Sequence, residues 1–115
     1  MTTEQQRKIL EFAAKACGVE LEPFIAGKKP CRLIEDESGE GYISVLWNPL
    51  TSPADCAEMC AELKIDWLNL KDSTGCRQRN YNISAWENIK DHDDSRLKAW
   101  MFAATMVAAK IGDLK

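Results

Sequence analysis

The sequence predicts an α+β domain: a small, mostly antiparallel sheet of three to four strands packed with three helices, in the order α-β-β-α-β-β-α. Three observations carry that reading. Residues 42–70 run as strand, tight loop, capped helix and strand. The first and last segments of the chain hold apolar residues at helical spacing. A polar stretch with two glycines, residues 36–41, separates two β-rich runs in the manner of a hairpin. A chain of 115 residues fits one domain, here 1–115, and can bury a core without metal or disulfide staples.

The first helix is expected over about 3–17. Thr2 and Thr3 precede Gln5 and Gln6 at capping-box spacing. Ile9, Phe12, Ala13 and Ala16 then share a face, and Gly18 stands where a left-handed cap belongs. Residues 19–30, punctuated by Pro23, Gly27 and Pro30, read as a loop with a short extended piece around Phe24 and Ile25. Residues 31–35 and 42–47 are the paired strands.

Asn48-Pro49 ends the second strand, because proline has no N–H for the ladder and pushes Asn48 out of the helical region. Ser52 then caps a helix that has Pro53 at its first position and Asp55 at its third. Cys56, Met59, Cys60 and Leu63 form its apolar stripe, and the helix ends near Lys64. Residues 65–70 follow as a strand, with Ile65, Trp67 and either Leu68 or Leu70 competing for the buried face. Residues 76–83 read as a polar edge strand. Residues 84–93 fit no single element, although Trp86 and Ile89 could pin them to the core.

The last helix starts at Asp94 or Ser95. Leu97, Trp100, Met101, Ala104, Val107, Ala108 and Ile111 keep helical spacing through to Gly112, with Phe102 and Met106 off that stripe. A helix apolar on more than one face lies deep in the domain or packs against a partner. Self-association through this C-terminal helix is therefore an expected alternative.

A net charge of −3 gives no bulk attraction to phosphate backbones or anionic lipid. The longest apolar stretch, 99–109, is too short to span a bilayer, so no membrane partner is expected. Five cysteines, an odd number, with no charged-then-apolar leader ahead of the first helix, point to a reducing cytoplasm and free thiols.

Little of the chain suggests bond-making chemistry. Cys56 and Cys60 point the same way from one helix, but a metal site would want two more soft ligands and the chain has one histidine. Buried thiols are the better reading. His92, within Asp91-His92-Asp93-Asp94, could bind a divalent ion or serve as a base. The competing reading is a polar loop that caps the last helix. The acidic run Glu35, Asp36, Glu37 and Glu40 reads as a solvated hairpin tip rather than a nucleic-acid mimic. No catalytic residue, metal ligand or cofactor is assigned.

The best binding candidate is Arg77-Gln78-Arg79-Asn80-Tyr81. On a strand, Arg77, Arg79 and Tyr81 share a face that could clamp a phosphate or stack a base. The competing reading is a charged edge that blocks aggregation. Trp67 and Trp100 fall on core-facing patterns. Trp47 and Asn48, at the strand–loop junction, and Trp86 complete the candidate contact residues; burial of the two indoles is the alternative.

Trp47-Asn48-Pro49-Leu50-Thr51, followed by a capped helix and a strand, resembles small proteins of tailed phages and prophages that carry the phage α/β/α sandwich domain. The Ala-Cys-Gly-Val end of the first helix and the alanine-rich end of the last agree with it. Family members often have acidic residues after the threonine, where this chain has Ser52-Pro53-Ala54-Asp55. The resemblance implies a fold and a phage context and carries no established activity. Its functional expectation is a non-enzymatic accessory protein that binds a host protein or complex, with inhibition of antiviral defence as the setting. The alternatives are a binder of a small nucleotide-like signal and, third, a metal-dependent enzyme built on His92.

Overall fold

A computed structural model describes residues 2–21 and 30–115. The expected α+β class and succession of elements are observed. Helix α1 (Thr3–Cys17) leads to the hairpin β1 (Cys31–Glu35) and β2 (Tyr42–Leu46). Helix α2 (Pro53–Leu63) follows, then strands β3 (Asp66–Asn69), β4 (Ser73–Gln78) and β5 (Ile83–Asn88). A 3₁₀ turn, Ile89–His92, leads into helix α3 (Arg96–Leu114). The strands form two antiparallel sheets, β1-β2 and β3-β4-β5. The extended piece expected around Phe24 and Ile25 lies outside the described residues.

Helix boundaries follow their caps. Thr2 Oγ1 accepts the Gln5 N–H at 3.1 Å while Gln5 Oε1 accepts the Thr2 N–H at 2.9 Å, and Gly18 closes α1 at φ 73°. Ser52 Oγ accepts the Asp55 N–H at 3.2 Å, with Pro53 at the first helical position. Lys64 ends α2 in the left-handed region, at φ 56°. Of the two caps open for α3, Ser95 serves: its Oγ accepts the Lys98 N–H at 3.1 Å.

Helix α3 lies deep in the domain, between α1 and the three-stranded sheet. Trp100, Met101, Ala104, Val107, Ala108 and Ile111 are buried as their spacing predicts. Leu97, expected on that stripe, is exposed. Helices α1 and α3 run side by side in the same direction: Gln6 shares a cavity lining with Met101, Phe12 abuts Gly112, and Lys115 Nζ donates to Ala16 O at 3.0 Å. Alanines on both helices let them approach closely.

Two expectations about the second sheet are corrected. Residues 76–83 do not form an edge strand. Strand β4 starts at Ser73, is the central strand, and ends at Gln78. The Gln78 side chain stops it: Nε2 donates to Leu63 O at 3.0 Å and Oε1 accepts the Tyr81 N–H at 3.0 Å, which folds residues 79–82 into a turn. The unassigned segment after it supplies β5, with Trp86 in the sheet. Trp67 is not enclosed either. Its ring stacks on Trp100 at 5.0 Å between centroids, but β3 is an edge, so 47% of the residue stays exposed.

Candidate functional site

The three-stranded sheet has one face against α3 and one open. Registers place Trp67, Cys76 and Ala85 in one row, and Asn69, Thr74 and Glu87 in another, on the helix side. Thr74 and Cys76 there are fully buried, and the Thr74 hydroxyl accepts the Trp67 indole N–H. The alternate rows form the outer face: Asp66, Arg77 and Ser84, then Leu68, Gly75 and Trp86.

Gly75 decides the shape of that face. With no side chain in the middle of the row, the indole of Trp86 lies across the strand. A Cβ at Gly75 would stand 2.5 Å from Trp86 Cδ2. The ring is thus fixed from below, yet the residue is 44% exposed. Leu68 extends the apolar surface on the far side of Gly75. Arg77 lies one row away, half-buried, and its Nε is buried with no hydrogen-bond partner among the described residues. Arg79 follows in the turn and pairs with Asp66 at 3.2 Å. Tyr81 is exposed at the turn's far end.

These positions revise the expected clamp. Arg77 belongs to a strand while Arg79 and Tyr81 belong to the turn after it, so the three do not share a strand face. Trp86 is the exposed indole the sequence allowed. Trp47 is not: it is 2% exposed, held in the core, and its N–H extends the hairpin ladder to Pro30 O at 3.0 Å. Asn48 is committed to the loop entering α2. Its Oδ1 accepts the Leu50 N–H at 2.9 Å, and its own N–H donates to Asp55 Oδ2 at 2.9 Å. The Trp47–Thr51 motif therefore builds the strand-to-helix corner.

His92 Nε2 lies 2.9 Å from Glu87 Oε1, and its ring packs against Phe102. The neighbouring aspartates do not converge on it; Asp93 turns instead to Lys98 at 3.0 Å. Among the described residues no group of three histidine, cysteine or acidic side chains is arranged to hold a metal ion. Cys56 and Cys60 hydrogen-bond to each other beneath α2, near Cys76. The Cys56 thiol pulls the more accessible Cys60 below the usual thiol range, while that same bond and burial push Cys56 up. Burial pushes Cys76 up to about 12, and its Sγ faces Trp100 O.

Two cavities accompany these features. One, of about 240 Å³, lies between the end of α1, the hairpin and α2, with Arg32 and Glu58 at its wall. The other, of about 430 Å³, opens among Gln6, Leu50, Thr51, His92, Lys98, Met101 and Phe102. Neither was visible in the sequence, since each draws on four or more separated segments. Gly75 did leave a signal: an isolated glycine between β-forming residues marks a close approach to the backbone.

Comparison of the chain with family models, with curated proteins and with solved structures gave no match. The class defined by fold and surface is a small α+β domain with one sheet face unpacked among the described residues. No helix among them is long and apolar enough to cross a membrane.

Proposed function

We infer that the protein acts by binding rather than by catalysis, and that it meets a partner protein through the outer face of β3-β4-β5. One observation carries this: Trp86 is braced by the backbone of Gly75 and still presents its other side to solvent. A rigid indole beside Leu68 and Arg77 has the composition of an interface hot spot, because it loses little entropy on burial. The resemblance carried by residues 47–51 suggests that the partner is a host macromolecule met in the cytoplasm, with antiviral defence as the first place to look.

The test is recovery of a partner from host lysate by the wild-type chain and by Trp86→Ala. A partner held by the first and lost by the second supports the reading. Equal recovery by both, or no partner above background, overturns it.

A second reading, a nucleotide-like ligand on the same face, is favoured by the unbonded Nε of Arg77 beside a stacking surface. Thermal shifts with mononucleotides and cyclic nucleotides separate the two, since a protein interface gives a flat response.

A further inference from the structure

The geometry points to a second binding site, away from the sheet face and independent of the reading above: the 430 Å³ cavity at the head of the helices takes a small apolar carboxylate. Its volume falls at the small end of ligand pockets, roughly 300–1,000 Å³. That suits a single ring or a short branched chain. Met101, Phe102 and Leu50 supply an apolar wall, and Met101 is buried while contributing to it.

The polar lining is rich in donors. Lys98, Thr51 and Gln6 line it, and they carry an ammonium, a hydroxyl and an amide within side-chain reach of its mouth. His92 adds an imidazole whose Nε2 is held by Glu87, leaving Nδ1 as its second polar atom. Among the described residues no carboxylate lines the cavity: Glu87 and Asp93 are engaged with His92 and Lys98. The Lys98–Asp93 pair is exposed on both sides, and such pairs hold their geometry weakly, so the ammonium can turn to a bound anion at little cost.

Backbone charge acts in the same sense. Gln6 and Lys98 lie in the first turns of α1 and α3, and Thr51 just precedes the cap of α2. Three helices therefore present their amino-terminal ends around one opening, where partial positive charge favours an anion. An apolar wall beneath a ring of donors fits a ligand with a hydrocarbon body and one carboxylate.

Benzoate and benzyl alcohol share the body and differ in the charge. Titration of each into the full chain, read by NMR at the Met101 methyl group and at His92 and Thr51, tests the proposal. Benzoate is expected to shift these signals saturably and to bind roughly tenfold more tightly than the alcohol. Lys98→Met should reduce that preference, the helix ends and remaining donors keeping part of it, while leaving both compounds bound. Thr51→Trp, at an exposed position, should block both. No saturable shift by roughly 10 mM benzoate, equal binding of the two compounds, or an undiminished preference in Lys98→Met overturns the proposal. Trp86→Ala should leave this binding unchanged, which separates failure here from failure of the sheet-face reading.

Discussion

Gly112 of α3 lies directly against the backbone carbonyl of Phe12 in α1. A Cβ at position 112 would run into Phe12 O, which is main chain and cannot swing aside. The two longest helices are therefore in contact there through a residue with no side chain. The sequence marks Gly112 as the end of a helix, whereas α3 continues to Leu114. This glycine serves an approach between helices rather than a stop.

Gly112→Ala should accordingly lower stability by about 3 kcal/mol, because α1 must move away along its length. Gly41→Ala is the control. Nothing lies within 4 Å of a Cβ there, and the change should stay within about 0.5 kcal/mol. Urea midpoints of the two variants measure the difference.

Gly75 and Trp86 should behave as a coupled pair. Gly75→Ala forces the indole off the sheet and should cost about 1–2 kcal/mol. In a Trp86→Ala background the new methyl meets no ring, and the same substitution should cost less than about 0.5 kcal/mol. A double-mutant cycle by chemical denaturation gives the coupling energy. Additive losses would mean that the glycine answers to the strand and not to the ring.

Much of the fold could be read from local signals. The caps at Thr2, Ser52 and Ser95 and the left-handed end at Gly18 set the helices, and each depends on residues within four positions. The sheet is less legible, for a physical reason. Strand β4 is central, yet its sequence is polar, because Thr74 and Gln78 are buried with hydrogen bonds that come from elsewhere in the fold. Alternation of polar and apolar residues cannot register such satisfaction. The candidate site divides in the same way. The exposure of Trp86 is one of the two outcomes its sequence allows. The division of Arg77 from Arg79 and Tyr81 depends on a side-chain amide reaching across to Leu63.

Arg96 gave no signal at all in the sequence, and it ties α3 to the β3–β4 turn. Its Nη1 donates to Asn69 Oδ1 at 2.9 Å and Leu70 O at 3.0 Å, and its Nη2 to Lys71 O at 3.0 Å. Charge-assisted bonds to carbonyls in partial exposure make Arg96→Ala cost about 2 kcal/mol. Arg96→Lys should recover little of this, since one ammonium cannot span the fork. Amide hydrogen exchange should quicken first at Leu70, whose N–H closes the turn onto Ser73 O.

The thiols beneath α2 set how the protein responds to alkali. Burial holds the Cys76 pKa at about 12 against an ordinary value of 9.0, and Cys17 is raised for the same reason. Well below pH 9 these thiols are protonated in both folded and unfolded chains and contribute no slope. Above it the unfolded chain loses their protons while the folded chain keeps them, so the unfolded state binds fewer protons and stability falls as pH rises. For Cys76 the fall should extend from about pH 9 to about pH 12. Cys76→Ala should flatten the slope of urea midpoint against pH over that window, even though the cavity it leaves lowers stability at neutral pH. Alkylation gives an independent measure. Of the hydrogen-bonded pair, Cys60 should react with iodoacetamide well before Cys56, because its thiolate is stabilised by the Cys56 S–H and Cys56 is fully buried. Equal rates for the two in the folded protein would show that the bond between them does not set their order of ionisation.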